Sequence, residues 1–190
     1  MKSLTSFICV FALFLFVTNN LFAQETSDDE ETAPIIYEQR KIYLGIGMGF
    51  DYGGLGAKLE YMPQKHFGIF GGLGYNLSSA GFNVGCAYKI QPDKKTCPNI
   101  LAFYGYNAVF KGEDSYAQQY DMTSYGFTFG ASIDFLVGND KKNKVSLGLF
   151  VPIRSKKFRD NYDRAKEDRY LDIKGELIPV GISIGYNWGL

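Results

Sequence analysis

The chain has 190 residues, and its 20 Lys and Arg are balanced by 20 Asp and Glu, so the formal net charge is zero. A nucleic-acid-binding protein usually shows a basic excess, and this balance argues against that class. With 16 Phe, 14 Tyr and 22 Gly, the composition is that of a strand-rich protein with close turns, and the length suits one domain.

Lys2 gives the N-terminus a positive charge, and Phe7 to Val17 is an apolar run too short to cross a bilayer comfortably as a helix. Leu21-Phe22-Ala23 before Gln24 reads as a cleavage site, so residues 1–23 are expected to be a signal peptide and the protein to be exported. Cys9 lies too early for a lipoprotein signal. No other segment resembles a membrane helix, so any spanning must be done by strands. Residues 24–40 are acidic, contain Pro34 and lack periodicity until Ile35, as a solvated, disordered leader would.

From Lys41 onward, eight stretches alternate with period two, the signature of strands with one apolar and one small or polar face. In Lys41–Phe50, Leu44, Ile46, Met48 and Phe50 oppose three glycines, and Asp51-Tyr52-Gly53-Gly54 reads as a tight turn. Leu55–Met62 sets Leu55, Ala57, Leu59 and Tyr61 against Gly56, Lys58 and Glu60. Phe67–Leu77 and Gly81–Gln91 follow, with Phe67, Ile69, Leu73 and Tyr75, then Phe82, Val84, Cys86, Tyr88 and Ile90, on the apolar face. After a polar turn over 92–99, aromatic residues appear in both parities of Ile100–Phe110; Ile100, Ala102, Tyr104, Tyr106 and Ala108 are taken to point outward. A polar loop is expected over 111–121, then a clear strand over Met122–Val137, a turn over 138–144 and a strand over Val145–Ile153. The charged connection 154–175 leads to Ile178–Leu190, where Ile182, Ile184, Tyr186, Trp188 and Leu190 face away from Ser183, Gly185 and Asn187.

An aromatic-ended apolar strand is a hazard in water, because its edge invites pairing, but it closes a barrel in a bilayer sensibly. Lys41, Lys58, Glu60, Lys89 and Asp134 all fall on the face opposite the apolar one. A basic residue facing lipid near the midplane would cost about 2–4 kcal/mol. A soluble sandwich would also keep charges off its buried face. With the N-terminal side in the periplasm, connections 63–66, 92–99 and 138–144 would be periplasmic, while the long ones, 111–121 and 154–175, would be external, as barrels of this kind have it.

These features together — a leader, eight short alternating strands over 41–190 and a last strand ending Gly185-Tyr186-Asn187-Trp188-Gly189-Leu190 — resemble small outer-membrane β-barrel proteins. The similarity is to the OmpA/OmpX-type barrels and the comparable Bacteroidetes outer-membrane and PorT-like groups. The final strand is similar to the assembly signal of that class, except that Leu190 stands where an aromatic residue is usual. The resemblance implies an all-β, eight-stranded antiparallel transmembrane barrel in a bacterial outer membrane, monomeric, in contact with outer-membrane lipid and lipopolysaccharide. The PorT-like side of it implies an accessory role in secretion with a protein partner.

Catalytic chemistry has few footholds. His66, the single histidine, lies in a turn without a Ser or carboxylate at a convincing spacing. The glycine clusters complete neither GxGxxG nor GK[ST] and fit close packing inside a barrel better. No metal-ligand spacing or cofactor motif is present. Cys86 and Cys97 flank a turn and are candidates for a disulfide; the alternative is two separate thiols. Lys58, Glu60, Lys89 and Asp134 are lumen-facing candidates, either lining a narrow polar path or pairing within a filled barrel, as eight strands favour. In the 154–175 connection, Arg154, Lys156, Lys157, Arg159, Arg164 and Arg169 are candidates for contacting lipopolysaccharide phosphates, against the plainer alternative of a solvated loop with internal ion pairs. Tyr43, Tyr61, Tyr88, Tyr186 and Trp188 are candidates for interfacial girdles. The expected function is therefore non-catalytic presentation of surface loops. A small channel, or a secreted soluble barrel holding a lipophile inside, are the other classes to separate from it.

Overall fold

The computed structural model describes residues 39–76, 79–114, 119–138, 140–154, 156, 158, 160, 171–173 and 179–190. The expected signal peptide and nearly all of the acidic leader lie outside them, as do Lys157, Arg159, Arg164 and Arg169. No helix among the described residues is long and apolar enough to cross a membrane.

The strands are β1 (Ile42–Gly49), β2 (Gly54–Gln64), β3 (Phe67–Tyr75), β4 (Ala80–Lys89), β5 (Thr96–Asp114), β6 (Gln119–Val137), β7 (Asn143–Pro152), β8 (Leu171–Ile173) and β9 (Gly181–Gly189). All neighbours are antiparallel, in the order β4-β3-β2-β1-β9-β7-β6-β5, and β4 pairs with β5 to close the ring. Short β8 lies outside that ring of eight, on the far end of β5 at Gly112–Asp114. The fold is thus an eight-stranded antiparallel barrel. A nine-residue strand such as β3, rising about 3.3 Å per residue and tilted by about 40°, spans about 23 Å, close to the height of a bilayer's apolar band. The rim with the β2–β3, β4–β5 and β6–β7 connections is the turn end, and the opposite rim is the loop end.

The two faces invert the pattern of a water-soluble protein. Leu73 and Ile182 are 70% and 76% exposed, while Lys89 and Lys144 are 0% and 1% exposed. Apolar side chains cover the outside of every strand in the ring, and polar and aromatic ones fill the inside. Period-two alternation forces this sorting once the ring closes, since each strand can offer only one parity to the lumen.

The structure departs from the sequence reading in several places. The expected turn at Asp51-Tyr52-Gly53-Gly54 is folded into the barrel, Phe50–Tyr52 forming a short 3-10 helix with Asp51 and Tyr52 buried, and Phe50, expected on the outward face of the first strand, packs inside against Tyr106 instead. In β5, Ile100, Ala102 and Tyr104 face outward, but Tyr106 and Ala108 are buried. A bulge between them, next to Gly105 at φ 151°, shifts the register by one residue and turns Ala108 inward. The β5–β6 ladder runs on through Glu113–Gln119, so much of the expected 111–121 loop is an extended hairpin. Thr96–Asn99 belongs to β5 rather than to the preceding turn. Lys41 is exposed at the rim, ahead of β1, so four of the five expected charges face the lumen. Tyr43 also faces in and is fully buried, which removes it from any girdle.

Candidate functional site

The glycines of β1, β3 and β9 explain the infolded 3-10 turn. A Cβ on Gly47 would lie 2.7 Å from Tyr52 Cζ, and one on Gly74 would lie 2.5 Å from the Tyr52 carbonyl oxygen. Glycine at alternate inward positions leaves a cavity of side-chain size, and the turn fills it. Its backbone closes through Gly53, whose φ of 72° is the left-handed conformation that glycine adopts without a steric penalty. Asn83 Nδ2 donates to the Phe50 carbonyl, and Tyr52 Oη donates to Asn187 Oδ1 at 3.1 Å.

Toward the turn end lies an ionic square. Lys89 Nζ is 3.1 Å from Glu60 and 2.9 Å from Asp134; Lys144 Nζ is 2.5 Å and 2.8 Å from the same two carboxylates. Lys58 pairs separately with Asp51 of the infolded turn at 2.5 Å. The interior therefore holds three ammonium groups against three carboxylates. This is the arrangement under which charges tolerate burial, since each is neutralised and hydrogen-bonded. Ser146 Oγ donates to Asp134 Oδ1 at 2.6 Å and accepts from Asn187 Nδ2 at 3.0 Å. A continuous polar chain thus runs from Tyr52 through Asn187, Ser146 and Asp134 to both lysines and Glu60.

Aromatic rings fill the remaining space. The Lys58 ammonium lies 4.3 Å from the Tyr52 ring centroid and 5.6 Å from that of Phe70. Phe70 meets Phe103 edge-on at 5.7 Å, Phe103 meets Phe150 at 5.3 Å, and Phe50 meets Tyr106 at 6.0 Å. Lys144 sits 4.2 Å from the Tyr43 ring centroid. At the turn-end mouth, Gln39 Nε2 reaches across to the Pro92 carbonyl at 2.9 Å, and the Arg40 amide donates to Tyr43 Oη at 2.9 Å. Paired charges and rings occupy the lumen, and a segment of chain crosses its mouth.

Four residues singled out from sequence, Lys58, Glu60, Lys89 and Asp134, come together here, joined by Asp51 and Lys144. Lys144 shares the inward parity of Ser146 and Phe150, which could have marked it, but it follows the polar run Gly138–Asn143 and reads as part of the turn. Asp51 gives no such signal, because Asp-Tyr-Gly-Gly is ordinary turn chemistry. The disulfide is contradicted: both thiols are free, with Cys86 on the outer face of β4 and Cys97 buried, its Sγ 3.4 Å from Asn99 Oδ1. The two sulfurs lie on opposite faces of the wall, which no side-chain rotation can bridge. Exposed His66 donates from Nδ1 to the Lys89 carbonyl at 2.8 Å and stacks on Tyr88 at 5.9 Å, tying the β2–β3 turn to β4. Arg154 and Lys156 lie beyond β7 at the loop end, half-buried and exposed respectively.

No family model matches the chain, and no curated protein matches it. Among solved structures it is similar to the N-terminal β-barrel domain of Pseudomonas aeruginosa OprF, with a TM-score of 0.49 and 11% identity over 79% of this chain and 98% of that one.

Proposed function

We propose that this protein is an integral outer-membrane barrel without catalytic activity, a rigid plug-filled anchor that holds its loop-end segments at the cell surface. The observation that carries this reading is the inverted sorting of side chains. Leucine, isoleucine and aromatic residues clothe the outside of a closed ring, where lipid would cover them, and six ionised groups are neutralised inside. A soluble barrel holding a lipophile needs the opposite arrangement. The small-channel alternative is disfavoured by the same interior, since an eight-stranded lumen has room for little beyond its own side chains.

The loop-end elements supply the interaction surface in this reading: the extended β5–β6 hairpin, edged by β8, and the basic 154–175 connection, whose arginines suit lipopolysaccharide phosphates. An accessory role in secretion, with a protein partner, remains the second reading drawn from the PorT-like resemblance. Cell fractionation with gel mobility before and after boiling tests the membrane assignment. The protein should partition with outer membranes and migrate as a compact species until heated. Recovery of folded, detergent-free protein from the periplasm would overturn it. In planar bilayers the reconstituted protein should give no steady openings, and a stable conductance would instead favour the channel.

A further inference from the structure

Basic side chains ring the turn end of the barrel. Arg40 and Lys41 lead into β1, Lys65 sits between β2 and β3, Lys94 and Lys95 between β4 and β5, and Lys141 and Lys142 between β6 and β7. Asp93 and Asp140 are the acidic residues among them, paired with Lys65 at 2.5 Å and Lys142 at 2.8 Å. Lys41, Lys95 and Lys141 form no ion pair among the described residues. Because the connections alternate around the ring, these cations make a collar rather than a patch. By sequence, connections 111–121 and 154–178 at the other rim carry nine basic and nine acidic residues, while the leader that runs into Arg40 adds six acidic residues, Glu25, Asp28, Asp29, Glu30, Glu31 and Glu38, on the collar's side.

The collar lies just beyond outward-facing Tyr61, Phe67, Tyr88 and Trp188. Aromatic rings of this kind settle at headgroup level, and lysine stems one step further out reach the phosphates. Beside them, a groove of about 370 Å³ has Arg40, Lys41 and the Lys65–Asp93 pair in its wall, with Met62 and Pro63 as apolar lining. The cationic wall of the groove suits a phosphate, and the outward aromatic residues beside it suit the glyceryl and acyl carbons.

We propose that the turn-end collar binds the phosphates of anionic phospholipids in the leaflet facing the short turns, fixing the depth and direction of the barrel. The proposal rests on the membrane reading. Trp188, the single tryptophan, is its reporter, because it faces outward near the turn end of β9, one residue beyond the Asn187 that pairs with Lys144 at the start of β7. The whole chain, acidic leader residues included, would be reconstituted in phosphatidylcholine vesicles doped with brominated phosphatidylcholine or brominated phosphatidylglycerol. At low salt, phosphatidylglycerol should be preferred about three-fold at Trp188, and the preference should fall toward about one as screening increases. The triple variant Lys41→Gln, Lys141→Asn, Lys142→Gln should lose it, while Lys156→Gln at the other rim should keep it.

Equal quenching by the two lipids in the wild type, or a preference that survives 0.5 M salt (about a 4 Å screening length), overturns the proposal and leaves the barrel reading intact. No quenching by either lipid sinks the membrane reading itself. Loss of the preference on adding inorganic phosphate at matched ionic strength would mark a free-phosphate site and also overturn the lipid assignment. The salt titration needs only the wild type, so the outcome does not depend on the triple variant folding.

Discussion

Asp134 is the acceptor on which the buried network converges. It takes hydrogen bonds from Lys89, Lys144 and Ser146 at 2.9, 2.8 and 2.6 Å. Asp134→Asn keeps the shape and removes the charge, leaving three ammonium groups in the lumen against two carboxylates. Two charge-assisted bonds at about 1.5–3 kcal/mol each, or one uncompensated buried charge at about 3–5 kcal/mol, give the same range. With a urea slope of about 2 kcal/mol per molar, the unfolding midpoint in vesicles should fall by about 2 M. Restoring neutrality with Asp134→Asn plus Lys144→Met should recover more than half of the loss, because the remaining Lys89–Glu60 pair is again balanced. The reasoning fails if the single variant unfolds within about 0.5 M of the wild type, or if the double variant is no more stable than the single one.

Ile182→Arg places a charge on the outward face and should destabilise the barrel in vesicles by about 2–4 kcal/mol if that position is near the midplane. Little change in urea unfolding would mean that Ile182 does not meet lipid. Gly47→Leu must displace Tyr52, so it should lower the midpoint by more than Tyr52→Phe, which removes only the bond to Asn187 at about 1 kcal/mol. The reverse order would show that the infolded turn does not occupy that cavity. Thiol titration of denatured, unreduced protein should find both Cys86 and Cys97 free, and finding neither would restore the disulfide.

Much of the barrel is legible in one dimension because strand alternation is local. Each of Leu55–Tyr61, Phe67–Tyr75 and Ile182–Leu190 declares its two faces by parity alone, and Lys58, Glu60, Lys89 and Asp134 follow from the same rule. The reading fails where a long-range event resets the parity. At Tyr106 and Ala108 a bulge inserts one residue, which composition does not announce, since aromatic residues there occupy both parities. Lys144 is hidden by its neighbours in Gly138–Asn143, because the boundary between turn and strand is set by pairing with Leu136 on β6 and Asn187 on β9.

By itself, the sequence determined the strand-rich class, the period-two faces and the confinement of charge to one of them, since these depend only on backbone geometry and the next few residues. Only the tertiary structure decided that Asp51-Tyr52 turns inward and that Lys58 and Lys144 complete a neutral interior. Those outcomes depend on space left by Gly47, Gly74 and Gly185, residues on three separate strands that meet only when the ring closes.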